Sequence, residues 1–442
     1  MLNYSYISLL RVSVPVMLGM LIQFAIFITD AAFLGRLEST TAFNAVSTSG
    51  LIILTLTSVC YGLYHGTQIL VAKHLGKNDK EISGLFYNSF FLLMLFGMLM
   101  FALTKIIAAY FLNHIVEDVS LINAMSEFMQ SRAWGFLFSV SGFTFLAFYT
   151  GVARTQFLVW NSITVASINI VLDYGMIFGK LGFPELGMMG ASYASNFAEF
   201  CGLLFGIIYI AFDKQSRTII NSSRIKISLE KIKTILNTST PLMAQGVLAT
   251  FGWAVFFLLI EKVGQDELEV SQVIRNIYYI ILVPIIGFSS TTKTYVSNML
   301  SHKAEKEKIV TMLKRICLLS FSSVLAITIV NFVAPETVIR LITNKPEVIE
   351  NSIPILRFIS IAMLQFSVTV IFLNIIAGAG KTFQTMMIEF VTIIIYLVAT
   401  VYVTIVNYQN MIWVWSMEYL YFTLIGVFSL LYIRYSKLLD RA

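Results

Sequence analysis

Charge is what this chain has least of. Only 12% of its 442 residues are Asp, Glu, Lys or Arg, against 57% hydrophobic. A soluble domain clothes its surface with about a quarter charged residues, and with a mean hydropathy of +0.81 the composition excludes that class and implies a polytopic membrane protein. Cysteine is scarce as well. Cys60, Cys201 and Cys317 all fall inside apolar segments, with no CxxC or ligand spacing, so neither a disulfide framework nor a metal cluster is indicated. No HExxH or GxSxG occurs, which leaves an intramembrane enzyme without nucleophile, metal or base. The formal charge of +6 does not require nucleic acid, because lysines on cytoplasmic loops account for it. The first apolar run lacks a basic n-region and an A-x-A site, so it is expected as a retained helix rather than a removed signal.

What the chain has in abundance is apolar runs of spanning length. A span needs roughly 20 apolar residues, and about twelve such stretches can be marked out, six on either side of a polar, basic stretch at 213–233. The expected architecture is all-α: twelve transmembrane helices in two six-helix bundles. The N-terminal lobe is 1–213, a cytoplasmic linker 214–235 and the C-terminal lobe 236–442. Lys and Arg gather on alternate loops, for example Lys73, Lys77 and Lys80, then Lys214, Arg217, Arg224 and Lys226, then Lys303, Lys306 and Lys308, with Arg434, Lys437 and Arg441 at the end. The opposite loops hold Arg36, Lys180, Lys262, Arg340 and Lys345. That is roughly 20 against 5, which places both termini in the cytoplasm.

The halves read as copies. GLYHGTQILVAKHLGKND from Gly62 lines up with GFSSTTKTYVSNMLSHKA from Gly287, Gly151–Thr155 with Gly378–Thr382, Arg132 with Arg357, and Pro15 with Pro241. Six spans return the chain to its starting side, so the copies are parallel and related by a pseudo-two-fold along the membrane normal, an arrangement suited to alternating access.

One stretch breaks the apolar pattern. Between Ser167 and Phe200, Asn169 and Asp173 are four apart, as are Ser195 and Glu199 on the following segment. On helices each pair shares a face. Asp30 adds an acid from the first span. A charge at mid-membrane costs about 2.5–3.5 kcal/mol on insertion scales, so a group of carboxylates is expected to hold a proton or a small cation. Asn169 and Ser195 can each donate to a carboxylate or accept from its acid form. Protons and sodium both suit such oxygen ligands, so a sodium site at Asp30, Asn169, Asp173 and Ser195 stands beside the proton reading. By the repeat spacing Asp30 corresponds to Phe256, Asn169 to Tyr396 and Asp173 to Thr400, so the cluster is expected in the first half alone. Pro15 gives the first helix a place to bend. Elsewhere, Glu389 and Glu418 read as acids near helix starts, where the dipole favours them. Lys293 reads as a snorkelling lysine and His65 as a satisfied bundle residue.

The motifs PVMLGMLIQFAIFITDAAFLGRL, VAKHLGKND, NIVLDYGMIFG, LGMMGASYAS and NIIAGAGKT together resemble the multidrug and toxic compound extrusion (MATE) transporters. The Asp in helix one and the Asn-x-x-x-Asp in helix five are similar to the DinF-like branch. The resemblance covers essentially the whole chain. It implies a plasma-membrane antiporter, without cofactor and acting as a monomer in the bilayer, that exports small amphipathic or cationic compounds against inward flow of protons or sodium. Asp30, Asn169 and Asp173 would be its coupling cluster and Pro15 the proline of a bending helix, while Ser195 stands where the family often has Thr. The apolar core of helix seven lacks the acid of the sodium-coupled branch, Gln245 being the only strongly polar side chain there. The alternative is a lipid-linked saccharide flippase of the same two-lobe plan, which would call for a basic cavity where this chain places acids.

Overall fold

The computed structural model describes residues 1–37, 39–114, 116–222 and 225–439. Arg224 and Arg441, counted in the charge asymmetry above, lie outside the described residues. Every regular element among the described residues is helical: α1 Tyr6–Leu34, α2 Thr40–His74, α3 Asp79–Ile106, α4 Val119–Arg132, α5 Gly135–Gly151, α6 Gln156–Phe178, α7 Met188–Phe212, α8 Lys214–Ile220 and α9 Leu229–Glu261. They continue with α10 Gln265–Ser301, α11 Lys306–Val333, α12 Pro335–Arg340, α13 Pro346–Gly378, α14 Thr382–Val401, α15 Met411–Trp415 and α16 Met417–Tyr435. Helix is the only open element that satisfies its own backbone in lipid. Among the described residues 11 spans are long and apolar enough to cross a membrane, and the pair α4–α5, bent by 45°, makes up to 12.

The chain divides into two compact units, Leu18–Met243, and Met1–Met17 with Ala244–Ala442. These units do not follow the sequence repeat. The first part of α1 packs with the second half of the chain, and the first part of α9 packs with the first half. Each changeover lies just past a proline inside the helix, Pro15 in α1 and Pro241 in α9. Proline removes an i to i−4 hydrogen bond, so a helix changes direction most readily there.

In the first unit Cys60, Leu63, Leu92, Phe136, Val140 and Ala147 form a core between α2, α3 and α5. The described residues after α7 are tied to α3 and to the end of α7. Asn88 of α3 donates to the Lys226 carbonyl at 3.0 Å and accepts from the Ser228 amide at 2.8 Å, and Glu81 pairs with Lys231 at 2.5 Å. Arg154, Asp213 and Ser216 close the end of α7. Arg154 donates to Asp213 at 2.5 and 2.8 Å, and the Ser216 hydroxyl donates to it at 2.6 Å. Burial pushes the Asp213 carboxyl up, but the Arg154 and Ser216 hydrogen bonds and the guanidinium charge outweigh it and hold the group below the usual carboxylate range. In the second unit Phe256, Ile274, Ile277, Leu356, Trp415 and Phe422 form the centre of one core.

Candidate functional site

Helices α6 and α7 are the most closely associated pair in the first unit, and small residues make that possible. A Cβ at Gly190 of α7 would sit 2.6 Å from the Met176 carbonyl of α6, so only glycine permits the approach. Lower down, Asn161 of α6 donates to the Gly202 carbonyl of α7 at 2.8 Å. Between these two points Asn169 donates from Nδ2 to Ser195 Oγ at 3.3 Å. The site's register is therefore fixed by a close contact at one end and a hydrogen bond at the other.

Three helices repeat one local pattern here. Asp30 precedes Leu34 by four residues on α1, Asp173 precedes Ile177 by four on α6, and Ser195 follows Ala191 by four on α7. Leu34, Ile177 and Ala191 pack together as an apolar layer. One turn away, toward the middle of the helices, the carboxyl groups of Asp30 and Asp173 meet within hydrogen-bonding reach of one another. Phe33 holds the end of α1 in place, with its ring 5.7 Å from that of Phe178 and 6.4 Å from that of Tyr174.

Two carboxylates are acceptors only, so their contact becomes a hydrogen bond only when one carries a proton. Neither oxygen of Asp173 and not Oδ1 of Asp30 finds a protein donor in good geometry, and Asn169 Oδ1 is likewise unsatisfied. The Asn169 side chain lies close enough to act on Asp173. Asp173 and Asn169 are 0% and 1% exposed. Among the described residues this is a group of buried oxygens short of hydrogen-bond donors.

Glu199 stands apart from the other four predicted residues. It is held by Arg132 of α4 in a two-pronged ion pair, Nη2 to Oε1 at 2.5 Å and Nη1 to Oε2 at 3.1 Å, while Nη1 also donates to Asn196 Oδ1 at 3.0 Å. Asn196 in turn donates to the Ser131 carbonyl at 2.9 Å. A Cβ at Gly135, just past the bend between α4 and α5, would fall 1.8 Å from Arg132 Nη1, 2.3 Å from Glu199 Oε2 and 2.7 Å from Asn196 Oδ1. Glycine at the bend makes the room for the pair. The Arg132 charge also reaches both Asp30 and Asp173. Arg132 was visible in the sequence only as a partner of Arg357 in the repeat. Arg357 itself donates to the Phe332 carbonyl at 3.3 Å and forms no ion pair among the described residues.

Three expectations outside the cluster are resolved by the structure. His65 contacts Gln68 at 3.0 Å and packs on the Tyr64 ring at 4.6 Å, a satisfied bundle residue. Lys293 does not snorkel: at 8% exposed it is buried within α10's surroundings. Glu389 lies two turns into α14 rather than at its start, and both Glu389 and Glu418 are buried among tyrosines. The second half thus has buried acids after all, at positions that a residue-by-residue alignment of the repeats does not pair.

Repeated bundles of helices of spanning length, with carboxyl groups buried among them, fit a polytopic membrane transporter. The chain belongs to the MatE family, whose match covers residues 15–175 and 241–403, once in each half. Its members are multidrug efflux transporters of small organic compounds. A probable multidrug resistance protein NorM of Thermotoga maritima is 25% identical over 390 residues, 87% of this chain and 82% of that one. A protein of the same description from Photorhabdus laumondii is 25% identical over 348 residues, covering 77% and 75%. Among solved structures, an outward-facing multidrug resistance MATE family transporter of the MOP superfamily superimposes with a TM-score of 0.89 over 98% of this chain and 96% of its own, at 19% identity. A MATE structure in a bent conformation gives 0.87 over 98% and 95%, at 18% identity. The two-lobe, all-helical architecture is thereby that of the family.

Proposed function

We propose that this transporter exports small amphipathic or cationic compounds in exchange for protons or sodium ions, and that Asp30 and Asp173 are where the coupling ion is held. The observation that carries the reading is the meeting of the two carboxyl groups with, among the described residues, no protein donor in good hydrogen-bond geometry for either Asp173 oxygen. A proton on one of them satisfies the other, and a sodium ion between them would draw on the same oxygens, with Asn169 Oδ1 and Ser195 Oγ within the same group of ligands. Either occupant removes the repulsion of two like charges in a poorly hydrated place. Empty, the pair favours whatever arrangement admits water. Loaded, it tolerates closure of the apolar layer formed by Leu34, Ile177 and Ala191. An ion that binds with different affinity in the two arrangements shifts the balance between them, which is the thermodynamic content of coupling.

Glu199 has a different part in this reading. With Arg132 it forms a fixed ion pair whose positive end stands near the aspartates, so it sets their surroundings rather than carrying the ion. Pro15 supports a bend of α1, the helix that bears Asp30. The excess of Lys and Arg on alternate loops supports a reading in which both termini lie in the cytoplasm of a plasma-membrane protein; we take it to act as a monomer.

Efflux of a fluorescent organic cation from vesicles under an imposed proton or sodium gradient tests the proposal. Asp30→Asn and Asp173→Asn are each expected to abolish gradient-driven export. If both variants transported like the parent, the coupling assignment would be wrong, and the ion species follows from which gradient drives the parent protein.

A further inference from the structure

The stretch that joins α7 to α9 is laid along the first turns of α3. Ser83 of α3 donates to the Ile220 carbonyl at the end of α8, and Glu81 pairs with Lys231 in the first turn of α9. Asn88 takes hold of the residues just before α9, donating to the Lys226 carbonyl at 3.0 Å and accepting from the Ser228 amide at 2.8 Å. A Cβ at Gly84 would lie 2.7 Å from the Lys231 side chain, so glycine makes room for the approach. Residues 225–228 are not helical, and a carbonyl and an amide two residues apart face one edge when the backbone is extended.

Held in this way, the stretch leaves its apolar side chains uncovered. Ile225, Ile227 and Leu229 are 71%, 46% and 83% exposed, at alternate positions along the chain. A group of exposed aliphatic side chains on an anchored segment marks a surface that meets a partner. The charges around it are mostly of one sign. Lys214, Arg217, Lys226 and Lys233 are exposed, as is Glu230, while Asp213 is taken up by Arg154. None of those four basic side chains forms an ion pair among the described residues.

The length of α3 gives the level of this surface in the bilayer. With its irregular continuation the span runs Asp79–His114, 36 residues, which is about 54 Å of helix for a hydrocarbon core about 30 Å thick. Shared evenly, the excess carries about 12 Å of helix beyond the core at each end. Asn88 lies nine residues past Asp79, about 13 Å along the axis, and so at the boundary between headgroups and acyl chains. The segment it clasps runs at the depth where aliphatic side chains enter the acyl region and lysines reach up to phosphates.

We propose that the stretch between α7 and α9 is a docking surface for anionic phospholipid. Ile225, Ile227 and Leu229 insert among the upper acyl chains, and Lys214, Arg217, Lys226 and Lys233 bind the lipid phosphates around them. Shallow apolar insertion and basic attraction each hold weakly alone, and together they anchor a segment stably. The linker between the sequence repeats is then a lipid-binding element as well as a connection. The proposal does not depend on the role given to the aspartates.

The test places a nitroxide label at Ile225→Cys in the full-length protein, with Cys60, Cys201 and Cys317 replaced by alanine, in nanodiscs of phosphatidylcholine with or without phosphatidylglycerol. Power saturation compares collisions with membrane-soluble oxygen and with a water-soluble nickel chelate. The label should favour oxygen, and more strongly when phosphatidylglycerol is present. Changing Lys214, Arg217, Lys226 and Lys233 together to glutamine should remove that lipid dependence. A label at Lys77→Cys, on the exposed turn before α3, supplies the aqueous reference. An Ile225 label as open to nickel as the Lys77 label in both lipids would mean that the surface faces water or a soluble partner, and overturns the proposal. So does an oxygen preference indifferent to phosphatidylglycerol and to the glutamine substitutions. Native mass spectrometry needs no cysteine replacement and decides the matter if that background does not fold. The glutamine variant should retain fewer phosphatidylglycerol molecules than the parent and as many of phosphatidylcholine, and equal retention of both lipids refutes the assignment.

Discussion

Gly135→Ala should act as a blade between Arg132 and Glu199. The added methyl would lie 1.8 Å from one nitrogen of the guanidinium and 2.3 Å from a carboxylate oxygen, so the two prongs of the pair cannot both survive in place. The side chains are only 17% and 19% exposed, and parting a buried pair costs about 3–5 kcal/mol. Glycine to alanine within a helix gains at most about 1 kcal/mol when nothing is struck. The net expectation is a loss of about 2–4 kcal/mol, the difference of those two figures. The decisive comparison repeats the substitution in an Arg132→Ala/Glu199→Ala background, where the obstruction is gone and the methyl should be neutral or mildly stabilising. Denaturant or thermal unfolding of the detergent-solubilised protein, read by tryptophan fluorescence with Trp134 adjacent to the substitution, supplies all four corners of the cycle. Equal costs in the two backgrounds would show that the glycine is there for some reason other than the ion pair.

Ser195→Ala should weaken ion-dependent transport while Ser195→Thr retains it, since the hydroxyl that accepts from Asn169 is what the position contributes; equal activity of both variants would remove Ser195 from the site. Ile177→Ala opens a hole in the apolar layer over the aspartates and should cost about 2–5 kcal/mol of stability, with faster labelling of the carboxyl site by water-soluble carbodiimide as the second readout. Gly190→Ala forces α6 and α7 apart at Met176 and should cost about 1–3 kcal/mol, checked by melting temperature and loss of efflux together. Asp213 gives a pH signature outside the spans. Its folded-state carboxyl is held below its ordinary value, so its stabilising contribution is present above the unfolded value of about 3.9 and disappears as pH falls through the lower folded value. Asp213→Asn should flatten the acid limb of the stability profile and leave the neutral region's slope unchanged.

Local spacing made part of the site legible in the sequence. Asn169 with Asp173, and Ser195 with its neighbours, declare a shared helix face because four residues make about one turn. Asp30 announces itself by being an acid in an apolar run. The Arg132–Glu199 pair could not be read this way, because its members are 67 residues apart and nothing in the sequence says which face of α4 meets which face of α7. The contact depends on a bend and on the missing side chain of Gly135. Aligning the two halves residue by residue also misled. It set Tyr396 opposite Asn169 and Thr400 opposite Asp173, and so hid the fact that the corresponding pair of helices keeps buried acids at Glu389 and Glu418. Repeats preserve helix order and packing more faithfully than they preserve the position of a polar side chain along a helix.

The exchange of half-helices between the two units has a consequence for dissecting the protein. A gene cut where the repeat ends, near residue 213, would yield one fragment trailing an orphaned N-terminal arm and another starting with a stretch whose packing partners were left behind. Fragments severed at the two prolyl breaks would instead carry complete sets of neighbours, though one of them would need its short leading peptide supplied in trans. Complementation from co-expressed pieces should therefore succeed or fail according to where the scissors fall, and the productive junctions should be the ones that evolution's duplication did not use.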